Sequence, residues 1–162
     1  MNYFELFGFE VAPVINKSLV AKKYFELQKN NHPDFFTQAT ESEQEHALEQ
    51  SANINKAFAT FQDGEKTLEY FLQLKEVIRT DEKYELPPAF LMEMMELNET
   101  LTEKDGVTLA AEMAQIEKPM LEEISPLLIL DPAKLDSLAY EKLKAYHYKK
   151  KYLKRILARL GD

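Results

Sequence analysis

The stretch Ser18-Leu19-Val20-Ala21-Lys22-Lys23-Tyr24-Phe25-Glu26-Leu27-Gln28-Lys29-Asn30-Asn31-His32-Pro33-Asp34 decides how this chain is read. Val20, Tyr24 and Leu27 recur at i, i+4 and i+7, which predicts a helix over about 18–31 with one buried face and Ser18 as its N-cap. Proline disfavours the α conformation for the residue before it, so His32 is expected at the helix end, where the chain turns. The turn then presents an imidazole and a carboxylate together on an exposed loop, 32–41, that leads into a second long helix. As a bare tripeptide His-Pro-Asp is weak, because Pro and Asp are common in any turn. Its placement between two helices gives it weight.

Working outward, a short helix is expected near 2–7, ended by Gly8. The second long helix covers about 42–62, with Ser42 as cap and Leu48, Ser51, Ile54, Phe58 and Phe61 on its buried side. Asp63-Gly64 ends it, and 65–74 form a short helix bearing Leu68, Phe71 and Leu72. Two antiparallel helices with small helices at each end make one unit, residues 1–75. Residues 76–87 read as a charged linker closing on Leu86-Pro87. Three further helices are expected at about 88–104, 107–124 and 132–160, with breaks at Asp105-Gly106 and from Ser125-Pro126 to Asp131-Pro132. They would close as a three-helix bundle over residues 88–162. With four glycines and few alternating β-branched runs, the fold class is all-α.

Composition narrows the chemistry. Without cysteine there is no thiolate nucleophile and no sulfur ligand, and His32, His46 and His147 lack metal-ligand spacing. No Gly-rich phosphate loop or Ser/His/Asp arrangement stands out, so the expectation is a protein that binds, with no cofactor, no metal and no enzymatic reaction of its own. The opening residues carry no basic segment followed by a long apolar one. The densest apolar run, Pro126-Leu127-Leu128-Ile129-Leu130, is far too short to span a bilayer. A soluble, cytoplasmic protein without a membrane partner is expected.

The net charge of −8 hides a segregation. Residues 76–125 hold 13 acidic against 4 basic side chains, a balance of −9. Residues 141–159 set Glu141 against eight cations, a balance of +7, and residues 17–31 reach +3. Overall acidity argues against non-specific nucleic-acid binding, while the local patches can steer partners.

The N-terminal unit resembles a J-domain, the module by which co-chaperones engage DnaK-type ATPase chaperones. The resemblance rests on the His32-Pro33-Asp34 loop, the lysine-bearing helix before it and the amphipathic helix after it. Tyr3-Phe4-Glu5-Leu6-Phe7-Gly8, Gln50-Ser51-Ala52-Asn53-Ile54-Asn55-Lys56-Ala57-Phe58 and Ala89-Phe90-Leu91-Met92-Glu93 look like the HscB family, J-type co-chaperones of iron–sulfur cluster assembly. Two positions depart from its pattern: Phe35 stands where the family often has a lysine, and Asn31 where an aromatic residue is common.

The resemblance implies that His32, Pro33 and Asp34 dock on a DnaK/HscA-type chaperone and stimulate its ATP hydrolysis, with Lys22, Lys23 and Lys29 as electrostatic support. Glu26 lies among these lysines and dilutes the patch. A plain capping turn beside a solvated lysine face is the alternative.

On a wheel of about 100° per residue, Phe90, Met94, Leu97 and Leu101 form one stripe, sufficient to bury their helix. Met92, Met95, Glu96, Glu99 and Glu103 form a second stripe on roughly the opposite side, with Leu91 at its margin. Exposed methionines suit adaptable partner binding. The resemblance assigns these positions to holding an IscU-type iron–sulfur scaffold; the alternative is that the methionines pack at a domain junction. In the last helix Ala139, Leu143, Tyr146, Leu153, Leu157 and Leu160 keep core spacing, with Tyr148, Tyr152 and Ile156 to one side. Tyr152 is the candidate aromatic scaffold contact.

The expected function is thus a co-chaperone that delivers the scaffold to its chaperone. The alternatives are a J-protein with another client, or a helical adaptor using the basic final helix.

Overall fold

The computed structural model describes residues 1–159, so Leu160 lies outside the described residues. The chain divides after Leu74 into two compact units. Every regular element among the described residues is helical.

The first unit comprises α1 (Tyr3–Phe7), α2 (Lys17–Asn31), α3 (Glu41–Gln62) and α4 (Gly64–Leu74), with a 3-10 turn at Pro33–Phe36. Its helices start where side chains satisfy free N–H groups. Asn16 rather than Ser18 caps α2, accepting from the Ser18 and Leu19 amides. Thr40 rather than Ser42 caps α3, in a reciprocal box with Glu43. Both helices begin one residue earlier than expected for the same reason: a capping side chain stands two residues upstream of the expected one.

The core of this unit is aromatic. Phe4, Phe7, Phe61 and Phe71 are fully buried, with Phe4 and Phe7 rings 5.1 and 5.4 Å from that of Phe61. Truncating a phenyl in such a core costs about 3–5 kcal/mol. Tyr24 stacks on Phe58 at 4.1 Å and carries its hydroxyl to Asn55 Oδ1 at 2.9 Å. Gln28 donates to the same Asn55 oxygen at 2.9 Å and accepts from the Ser51 hydroxyl at 3.0 Å. This polar seam pins the register of α2 against α3 and so fixes where the end of α2 sits along α3. Leu48, expected on the buried side of α3, is 61% exposed. The buried stripe runs through Ala47, four residues before Ser51, and Leu48 falls outside its arc.

The second unit holds α5 (Pro88–Thr100), α6 (Gly106–Leu128) and α7 (Ser137–Ala158). Phe90, Met94, Leu97 and Leu101 meet Leu109, Met113, Leu153 and Ile156 in one core. Helix α5 runs alongside α7 in the same direction: Phe90 meets Tyr152, and Asn98 accepts from Arg159. That placement corrects the expected face of α7. Ile156, expected to one side, is buried, and Leu157 is 38% exposed. From Leu153, the i+3 position faces α5 and the i+4 position does not. Tyr146 is only half-buried.

Helix α6 continues through Pro126 to Leu128 instead of breaking at Ser125-Pro126. Pro126 sits in the last turn, where its missing N–H removes one bond, and the Ser125 hydroxyl adds a second donor to the Leu121 carbonyl. Residues 132–136 are not part of the last helix, which starts after its cap Asp136.

Residues 76–87, expected as a linker, lie along α7. Glu82 pairs with Lys144, the Tyr84 ring stacks on Tyr148 at 4.5 Å, and Leu86 packs against the bundle core.

Candidate functional site

Helix α2 ends where Pro33 dictates. His32 has extended dihedrals (φ −65°, ψ 133°), although its N–H still closes the last helical bond to Gln28 O at 2.8 Å. Asn31 turns its side-chain amide back onto the Leu27 carbonyl at 2.8 Å. The chain then enters a 3-10 turn whose first residue is Pro33, a position that needs no N–H donor.

His32 caps that turn with its ring: Nδ1 accepts the Asp34 N–H at 3.2 Å, and the Phe35 N–H closes onto the His32 carbonyl at 3.0 Å. The Asp34 carboxylate lies 3.6 Å from the imidazole, and its side chain is 84% exposed. Most of its acceptor capacity therefore faces water, ready for a cationic donor. Gln44 of α3 ties the loop down through the Thr37 and Ala39 carbonyls.

Of the lysines expected to support this turn, Lys22 and Lys29 are exposed, while Lys23 is half-buried and lies 3.7 Å from Glu26. A largely solvated i,i+3 pair of this kind contributes little stability, and the adjacent carboxylate offsets part of that lysine's charge. Sequence reasoning missed Phe25, which is 72% exposed beside Lys22 and Lys29. Its spacing from those lysines was the available signal.

In the second unit, α5 buries Phe90, Met94 and Leu97 and leaves Met92 and Met95 more than 60% exposed. Glu96 and Glu99 are exposed on the helix, Glu103 on the 3-10 turn Leu101–Glu103, and Leu91 is half-buried at the margin. Tyr152 is less available than expected: it packs against the bundle core, edge-on to Phe90 at 6.2 Å. The basic α7 is partly neutralised from within, because Lys144 meets Glu82, Lys150 meets Glu117 at 2.6 Å, and Lys149 lies over the Phe90 ring. Lys144 holds the Glu82 carboxyl below the usual carboxylate range.

Among the described residues, no cluster of His, Asp or Glu could hold a metal ion, and no helix is long and apolar enough to cross a membrane.

Residues 86–161 match the family described as the HSCB C-terminal oligomerisation domain. A co-chaperone protein HscB homolog of Shewanella halifaxensis is 34% identical over 138 residues, covering 80% of this chain and 79% of that protein. The chain belongs to the HscB family. A Vibrio cholerae serotype O1 HscB homolog is 41% identical over 113 residues. That match spans 69% of this chain and 64% of the relative's own length, just under two thirds. Among solved structures, the chaperone HscB from Vibrio cholerae superposes with a TM-score of 0.64 at 30% identity, covering 99% of both chains. Human co-chaperone protein HscB gives 0.74 at 26% identity, over 98% of this chain and 82% of that one. The all-α architecture, a J-domain followed by a helical bundle, is therefore that of HscB co-chaperones.

Proposed function

We propose that this chain binds an IscU-type iron–sulfur scaffold through its second unit and, through its J-domain, presents that scaffold to a DnaK/HscA-type chaperone while stimulating the chaperone's ATPase. The hydrolytic chemistry belongs to the chaperone, so the chain contributes binding and positioning. The observation that carries the reading is the His32-Pro33-Asp34 turn, whose capped backbone presents an exposed carboxylate beside the imidazole. Lys22 and Lys29 would mainly speed encounter with an acidic surface.

The scaffold contact is assigned to Leu91, Met92, Met95, Glu96, Glu99 and Glu103 of α5 and its 3-10 extension. Met92 and Met95 are exposed on a helix whose core face is already satisfied. Tyr152 is assigned only its outer edge. The internal pairing of Lys144 and Lys150 weighs against an adaptor built on a continuous cationic α7. Two measurements test the proposal: titration of the purified chain with an IscU-type scaffold, and single-turnover ATP hydrolysis by an HscA-type chaperone. Binding without stimulation would retain the second unit's role and remove the first's.

A further inference from the structure

On α2, Lys22, Phe25 and Lys29 stand at i, i+3 and i+7 and share one stripe, with His32 closing the helix at its end. Phe25 is 72% exposed. Phe35, in the turn itself, is 67% exposed and sets its ring edge-on to the His32 imidazole, 6.1 Å between centroids. The core face of α2 is satisfied without Phe25: the helix buries Val20 and stacks Tyr24 on Phe58, and the Phe25 ring lies edge-on to Tyr24 on the exposed side. Single exposed apolar residues need no explanation, but two large phenyls beside one polar motif do.

We propose that Phe25 and Phe35 form the apolar half of the contact made by the His32-Pro33-Asp34 turn, seating in an apolar recess with an acidic rim on the ATPase chaperone. This rests on the chaperone-binding role proposed above for the turn. Continuity argues for the same occupant: the Phe35 ring lies against the imidazole, so a partner that engages Asp34 also covers Phe35. Charge sets the rim, because Lys22 and Lys29 flank Phe25. A second copy of this chain fits poorly, since a two-fold contact through this face would oppose its own lysines.

The two halves of such a contact answer differently to salt. Ionic attraction is screened, whereas apolar burial is not. The test is the concentration of full-length chain giving half-maximal stimulation of a purified HscA-type chaperone, measured at several salt concentrations. Phe25→Ala is expected to raise that concentration by roughly tenfold, as for loss of a buried interface anchor, and by the same factor at every salt concentration. Phe25→Leu should recover most of the loss. Lys22→Glu should instead flatten the salt dependence.

Superposition of Phe25→Ala and Phe35→Ala on the wild type at all salt concentrations, with Asp34→Asn inactive in the same assay, would overturn the proposal. Normal stimulation by Asp34→Asn would overturn the underlying chaperone reading, and this inference with it. Loss of self-association in Phe25→Ala with unchanged stimulation would assign the phenyls to a second copy instead. Should Phe35→Ala lower the melting temperature, Phe25→Ala, which lies outside the turn, carries the test alone.

Discussion

His32 Nδ1 accepts the backbone N–H of Asp34 at 3.2 Å, so the first and third residues of the turn position each other. The imidazole thereby serves as a cap, the role usually taken by a short Asn or Ser side chain. The bond uses the Asp34 backbone and leaves its carboxylate almost wholly in water. Orientation and availability are thus supplied by different atoms of the same residue.

Asp34→Asn should therefore abolish stimulation of the partner ATPase and leave the fold intact. The change is nearly isosteric, keeps the N–H that His32 receives and removes only the exposed charge. Single-turnover hydrolysis and a circular-dichroism melt are read together. Unchanged stimulation would remove the chaperone-docking role; a large drop in melting temperature would make Asp34 structural.

The chaperone encounter should weaken as salt rises, and charge reversal at Lys22 should slow association more than it speeds dissociation. Lys23→Glu should have a smaller effect than Lys22→Glu, because Lys23 is half-buried and Lys22 is exposed to an approaching partner. Stopped-flow association rates at several ionic strengths check both. A salt-independent rate would make the lysines a solvated face only.

Met92→Ala with Met95→Ala should weaken scaffold binding by more than about tenfold, a loss of only about 1.4 kcal/mol. Both side chains are exposed, so stability should barely change. Phe90→Ala or Leu97→Ala should instead destabilise the bundle by roughly 2–5 kcal/mol, since each leaves a cavity in the shared core. Calorimetric titration with the scaffold and chemical denaturation separate the two. A methionine pair that unfolds the bundle without changing affinity would end the client assignment.

The segment 76–87 should loosen from α7 in acid. Lys144 depresses the folded-state pKa of Glu82, so their pairing contributes above the unfolded-state value and is lost as pH falls through the lower, folded-state value. The Tyr84–Tyr148 stack reports it: ring-current shifts of both tyrosines should collapse below the usual glutamate range. Glu82→Gln should show the loosened spectrum already at neutral pH. Shifts unaffected by either change would mean that Leu86 and the stacked rings suffice to hold the segment.

Hydrophobic periodicity and turn chemistry by themselves determined that this protein is helical, where its helices lie, and that α2 ends at a His-Pro-Asp turn. These are local properties, set by φ restrictions at Pro33, by capping atoms within a few residues and by the spacing of Phe90, Met94, Leu97 and Leu101. The two-sided character of α5 was also legible, because a helix with one complete apolar stripe shows its surplus methionines on the wheel. Tertiary structure alone decided which of two neighbouring apolar residues went inside. Ile156 displaced Leu157 because α5 lies on the i+3 side of Leu153, and Ala47 displaced Leu48 because the seam between Gln28 and Ser51 sets the rotation of α3. It also decided that residues 76–87 lie against α7, through the distant partners Lys144 and Tyr148, and that Phe25 stays in water. A wheel shows which residues share a face; only the neighbouring helix determines whether that face is covered.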